Sequence, residues 1–224
     1  MRFISPSVLT GVLLVCAMTG AAQAQTMRAA QATDDHGVYA QVLVDATFGN
    51  VSSQSYGGEV GMTVWPNAQI FIEGGHVNNV ASSDFFNAAQ MIAGSLSQTQ
   101  SGVGFSAKEP VTFGDAGIRY VVPIADSSVQ PYVMAGFGVA HVDQDAKFTV
   151  NGTDVTGNLE QYGIVLGTDL SGSFTKPLLT LGVGVSLPVW QRVAVDLHYR
   201  YGRIFAPDSG INVNRAGIGI GFRF

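Results

Sequence analysis

Cysteine, charge and long apolar runs are all scarce in this 224-residue chain. Its single cysteine, Cys16, lies close to the N-terminus, so a disulfide framework, a thiolate metal site and dithiol redox chemistry are excluded. Only 12% of residues are charged, against about 25% in an ordinary soluble domain. The 11 basic residues are outnumbered by 16 acidic ones and the formal net charge is -5, which excludes a basic nucleic-acid-binding surface. Beyond the N-terminal segment no stretch approaches the roughly 18 consecutive apolar residues of a membrane-spanning helix. Yet 46% of the residues are hydrophobic, 28 are glycine, and the mean hydropathy is +0.25. That apolar content excludes a disordered chain. What is left is β-structure in a solvent other than water.

Residues 1–24 read as a secretory signal peptide. Arg2 supplies the positive n-region, Val8 to Met18 an apolar h-region too short to span a bilayer, and Ala22-Gln23-Ala24 the cleavage site. Val15 before Cys16 argues against a lipoprotein acceptor. Residues 25–36 are polar and read as a periplasmic lead-in, and 37–224 as a single barrel domain.

The dominant period from residue 38 onward is two, the period of a strand. Its clearest instance is the end of the chain, where Ile218, Ile220, Phe222 and Phe224 alternate with Gly217, Gly219, Gly221 and Arg223. The same alternation marks 38–48, 56–65, 69–77, 111–122, 129–142, 178–187 and 193–201. Proline-bearing short turns at 66–68, 123–128 and 188–192 alternate with longer links, the longest being 78–110 and 143–177. Short turns on one side and long loops on the other predict an eight-stranded antiparallel up-and-down transmembrane β-barrel.

Period two does not say which face is outside; the composition of the two faces does. The polar face is mostly glycine and small residues with about one charge per strand, a poor water-facing surface but a good lining for a narrow lumen. Glycines 136, 138, 182, 184, 217, 219 and 221 leave room for long side chains from other strands. The apolar face therefore meets lipid, with Phe48, Tyr199 and Tyr201 at the loop side and Tyr120, Phe222 and Phe224 at the turn side as interfacial girdles. Asp45, Glu59, Glu73, Asp115 and Asp196 against Arg119, Arg200, Arg215 and Arg223, with His198 among them, are expected to form a lumen ion network, because an unpaired charge there is costly. Heights counted from the turns predict that Glu73 pairs with Arg119 and that Asp115 shares the arginine.

The terminal Ile218-x-Ile220-x-Phe222-x-Phe224 resembles the assembly signal of Gram-negative outer-membrane proteins. The hairpin containing Gly117-Ile118-Arg119-Tyr120 and Val129-Gln130-Pro131-Tyr132-Val133-Met134-Ala135-Gly136-Phe137-Gly138 resembles the small OmpA/OmpX-type, opacity-protein-like barrels. The resemblance implies an outer-membrane location and recognition of Phe222 and Phe224 by the barrel assembly machinery. Outer-membrane lipids and lipopolysaccharide are the expected surroundings of the wall.

Between 78 and 110, Phe85, Ala88, Ala89 and Ile92 sit at helical spacing behind a serine cap, which predicts a short helix over the barrel mouth packed on the loop's own apolar residues. Asn151-Gly152 predicts a hairpin that carries the strands above the membrane. Asp143, Asp145, Asp154, Glu160 and Asp169 read as a solvated acidic loop. His36, His76, His141 and His198 lack the spacing of a metal motif. Neither the His-x-Ser pair of a lipid A deacylase nor a Gly-x-Ser-x-Gly elbow occurs. Neither catalytic residues nor a cofactor or metal is expected. The leading reading is a non-enzymatic envelope or surface-interaction protein acting through its long loops. The alternatives are a narrow channel for small solutes or ions and, behind it, a lipid-modifying enzyme.

Overall fold

The computed structural model describes residues 37–224 except 50, 166, 168–169 and 207–209. The signal-peptide and lead-in readings, Cys16, His36 and Asp169 lie outside the described residues.

The strands are β1 (Val38–Phe48), β2 (Ser53–Trp65), β3 (Ala68–Val77), β4 (Val103–Lys108), β5 (Val111–Val121), β6 (Gln130–Val150), β7 (Thr153–Asp154), β8 (Ser171–Pro188), β9 (Val193–Ile204) and β10 (Ile211–Arg223). A helix, α1, spans Ser83–Ser97. Eight strands close a ring in the order β1-β2-β3-β5-β6-β8-β9-β10, each pair antiparallel, and β1 pairs with β10 from Tyr39↔Arg223 to Phe48↔Asn214. Closure leaves no barrel edge, which a hydrocarbon solvent demands, because an unpaired backbone group there has no water to bond.

The parity read from the alternation holds on every barrel strand. Val42, Ile72, Phe137, Val183 and Ile220 are exposed on the outer wall, where lipid covers them. Inside, large side chains stand opposite glycines: Tyr39 opposite Gly61, Phe71 opposite Gly117, Phe113 opposite Gly75, Met134 opposite Gly182 and Tyr132 opposite Gly184. A Cβ on Gly61 or Gly184 would lie 2.5 Å from the Tyr39 or Tyr132 ring. The tightest places are backbone against backbone: a Cβ on Gly138 would run into the Gly114 carbonyl oxygen. Tyr120, Phe222 and Phe224 at the turn side, and Phe48 and Tyr199 at the loop side, are exposed on the outer wall. Trp65, the last residue of β2 beyond a register shift, and Trp190, in the turn between β8 and β9, are likewise exposed at the turn side; the first is off the parity of its run and the second lies in no strand, so alternation alone points to neither.

Pro66-Asn67 closes the β2–β3 hairpin with Asn67 at φ 66°, the positive φ that the third position of a type II turn requires. At Asn151-Gly152 both residues have positive φ, 52° and 82°, and Val150 pairs with Thr153, which is a type I′ hairpin. There β6 runs on beyond the barrel to Val150, flanked by β4, with Val103↔Val150 to Lys108↔Asp145, and by the start of β8. The Ser82 hydroxyl accepts from the Phe85 N–H at 3.1 Å and Asp84 occupies the first turn of α1, both favourable at a helix N-terminus. Phe85, Ala89, Ala93 and Leu96 of α1 pack on Phe148 and on Leu159 of a short 3-10 helix, Thr156–Tyr162. The loops thus fold into a cap with its own core.

The wall and the lumen answer to different substitutions. Val183→Arg puts a charge on the lipid face and is expected to destabilise by about 2–4 kcal/mol. Gly182→Ala meets the flexible Met134 side chain and costs much less, whereas Gly138→Ala meets backbone and impairs folding. Urea unfolding of the refolded barrel ranks the three; equal small effects would reverse the assignment of faces.

Candidate functional site in the barrel lumen

The lumen is filled in three layers. At the turn side Phe71, Tyr132 and Met134 form a small core. At the loop side Val77, Val111, Phe113, Leu178, Ile204 and Val213 form a larger one. Between them lies the charged layer.

Register divides the charges between two walls. Glu59, Glu73 and Asp115 stand in one row across β2, β3 and β5. Arg200 and Arg215 are direct neighbours on β9 and β10. Like charges in adjacent register repel, so each row is stable only by facing the other across the lumen. Glu59 accepts from Tyr39 Oη (2.7 Å), Gln41 Nε2 (3.1 Å) and Arg119 (2.5 Å), and its second oxygen lies 2.9 Å from Arg200. Glu73 meets Arg200 with one oxygen and Arg215 with the other, the latter at 2.7 Å. Arg215 continues to Asp45 at 3.6 Å. His198 sits between Asp45 (2.7 Å) and Asp196 (2.8 Å), one ring nitrogen to each. Both bonds are satisfied when both ring nitrogens carry hydrogen. Tyr132 donates to Asp196 at 2.9 Å, and the Arg119 guanidinium lies 4.1 Å above the Tyr132 ring and 5.0 Å from that of Tyr39. The chain Arg119–Glu59–Arg200–Glu73–Arg215–Asp45–His198–Asp196–Tyr132 therefore returns to its start.

The expected Glu73–Arg119 pair does not form. Across the β3–β5 ladder Arg119 faces Gln69, and Glu73 faces Asp115. Tilted strands in a barrel are staggered, so equal distances from two different turns are not equal heights. Arg119 reaches past β3 to Glu59 instead. Asp115 does not share the arginine: it is buried and has no ion pair among the described residues. Arg223 lies at the turn-side end, donating to Gln130 Oε1 at 2.6 Å and Ser186 at 3.4 Å. The loop-side apolar layer was not singled out by sequence; its signal is the switch to valine, leucine, isoleucine and phenylalanine on the inward parity as each strand reaches its loop.

Two further histidines face outward near the loop ends, His76 3.0 Å from Thr112 and His141 2.9 Å from Thr175. Among the described residues no group of three or more His, Cys, Asp or Glu side chains is placed to hold a metal ion. Within the lumen, one void of about 10 Å³ lies in the loop-side layer and one of about 30 Å³ at the turn-side end. The first is at the lower limit for one water.

Above the mouth, Glu109 ties the cap to the barrel. Its carboxylate accepts from the Ser82 N–H, next to α1, at 2.8 Å and from Gln144 Nε2 at 3.5 Å, while Asn79 Oδ1 accepts from the Glu109 and Ala81 N–H groups, both at 2.9 Å. Burial pushes the Glu109 carboxyl up from its ordinary value, against the lowering effect of the Ser82 and Gln144 bonds.

Residues 12–224 match the outer membrane protein beta-barrel domain. The chain belongs to that family. Among solved structures, Neisserial surface protein A is similar, with a TM-score of 0.52 and 15% identity over 84% of this chain and 96% of that one. Ail, the attachment invasion locus protein of Yersinia pestis, is 13% identical with a TM-score of 0.47, over 84% of this chain and 99% of that one. The N-terminal β-barrel domain of Pseudomonas aeruginosa OprF is 16% identical with a TM-score of 0.47, over 84% and 98%. At such identities the likeness concerns the fold alone. No curated protein matches the chain in sequence.

Two predictions follow from the contacts. Glu59→Ala and Arg119→Ala each leave a buried partner charge, at about 3–5 kcal/mol, and the double mutant loses less than their sum. The coupling between Glu73 and Arg119 is expected to be smaller; a double-mutant cycle with the two couplings in the opposite order would put the β3–β5 register in error. For Glu109, a carboxyl raised in the folded state binds its proton more tightly there than in the unfolded chain. Cap stability therefore rises as pH falls through the folded value and is lower above it. Hydrogen exchange of α1 is expected to be slower at pH 5 than at pH 8, after correction for intrinsic rates, and Glu109→Gln to remove the difference.

Proposed function

We propose that this outer-membrane family member is a non-enzymatic, non-conducting barrel. In this reading it strengthens the envelope and presents its folded loops to the exterior. The observation that carries the reading is the filled lumen: an apolar layer seals the loop side above a ring of paired charges, and the α1 cap covers the same end. An eight-stranded barrel has an interior just wide enough for side chains, and here they occupy it. The histidines support the non-enzymatic reading, since His198 is engaged by two carboxylates in the lumen and His76 and His141 bond threonines on the outer wall.

Export through cleavage after Ala24, delivery to the assembly machinery by Phe222 and Phe224, and contact of the apolar wall with outer-membrane lipids and lipopolysaccharide complete the reading. Phe222 and Phe224 are exposed with their rings 5.1 Å apart, which suits recognition of a terminal aromatic pair.

Planar-bilayer recording on refolded protein tests it. A heat-modifiable band on gels together with an absence of single-channel steps is the expected result. Reproducible steps that disappear when the loop-side layer is enlarged, for example by Val213→Trp, would replace this reading with that of a channel.

A further inference from the structure

We propose that Arg203, at the loop-side rim of the outer wall, anchors a binding site for the phosphate of an outer-leaflet lipid headgroup, that of lipid A. This rests on the envelope reading above, which turns the loop side outward and sets the wall in lipid. Arg119, Arg200 and Arg215 are buried in the lumen. Arg203 has the opposite parity: on β9 it follows Leu197, Tyr199 and Tyr201 along the outward face. Leu197 and Tyr199 are exposed there. Arg203 therefore stands one outward step above the aromatic girdle, where the apolar wall gives way to lipid headgroups.

Its side chain is held in place from two sides. Nη1 donates to Asn212 Oδ1 at 2.6 Å, and the same oxygen accepts from Tyr201 Oη at 2.7 Å. Below it, Asn214 Oδ1 accepts from Tyr199 Oη at 2.7 Å while Asn214 Nδ2 donates to the Phe48 carbonyl at 3.1 Å, so the supporting rung is tied to β1. A Cβ on Gly210 would run into Cζ, Nε and Nη2 of Arg203 at once, which puts the flat face of the guanidinium against the Gly210 backbone. Both lone pairs of Asn212 Oδ1 are filled and the Tyr201 proton is given away. What the patch still offers is donors: the Nε–Nη2 edge of Arg203 and the Asn212 amide N–H groups. Among the described residues the only partner of the guanidinium is that neutral amide, whereas Lys147, farther out on β6, is held by Asp145 at 3.1 Å. A free guanidinium edge takes two phosphate oxygens side on. A free phosphate has the same chemistry; the apolar wall directly below, where acyl chains lie, favours the lipid.

The full chain, refolded in dodecyl maltoside so that the detergent brings no phosphate, provides the test. Lipid A, dephosphorylated lipid A and inorganic phosphate are each titrated while Tm is followed through the heat-modifiable transition. A ligand that binds only the folded state raises Tm along a saturation curve, and that curve is expected with lipid A alone. Arg203→Gln, a change at the surface, is expected to fold and to need about ten times more lipid A for the same shift. Lys147→Gln removes the same charge from the cap and is expected to leave the curve in place. An unchanged curve for Arg203→Gln, equal losses in the two variants, or equal curves for the two forms of lipid A would each overturn the site. An equal curve with inorganic phosphate would overturn the lipid as its occupant. Single-channel steps with the lipid A dependence intact would remove the envelope reading and leave the site standing; a silent barrel without that dependence would do the reverse.

Discussion

Everything inside this barrel depends on one electrostatic constraint: acids and arginines are laid out in separate rows, so the two walls are stable only in each other's presence. Glu59, Glu73 and Asp115 are neighbours along the ladder, as are Arg200 and Arg215. On an open sheet both rows would repel themselves. Rolled into a ring, Glu59 and Glu73 each find arginines across a lumen narrow enough to bridge with one pair of side chains. The glycines serve the same constraint, since Asp45 and Asp196 stand opposite Gly217 and Gly219, and Asp115 opposite Gly138. Without that clearance the charged groups would not reach the centre.

The layers on either side depend on this one. A buried ion network is favourable only when water is kept from competing and its remaining polar atoms are engaged. The apolar loop-side layer excludes water from above, and the Tyr39 and Tyr132 rings enclose Arg119 from below. The α1 cap has a separate core, joined to the barrel through the strand extensions and through Glu109. Surface individuality and barrel stability are therefore placed in different parts of the chain.

Much of this was legible from residues alone, because lipid and lumen impose opposite demands on alternate positions. Ile218 and Gly219 announce their faces without any knowledge of neighbours. The helix followed from Ser82 with Phe85 and Ala89, and the hairpin from Asn151-Gly152, since both are local signals. The pairing of Glu73 was not legible: it depends on strand stagger, a property of the closed ring that no single hairpin encodes. The loop-side apolar layer is written as single residues such as Val77, Leu178 and Ile204, which read as strand-end noise until register brings them together. Strand lengths were underestimated at β6 and β8 because above the membrane the outer wall turns polar, as in His141 and Asp143, and the alternation fades while the ladder continues.

The route of the charge ring through the chain constrains how the barrel is completed. Arg119 and Glu59 are 60 residues apart, but Arg215 and Glu73 are separated by 142 and His198 and Asp45 by 153. The N-terminal strands carry an excess of acid that only the last two strands neutralise. Without β9 and β10, Glu73 has neither of its arginines and Asp45 has neither Arg215 nor His198, so the lumen network is complete only once the final hairpin closes the ring.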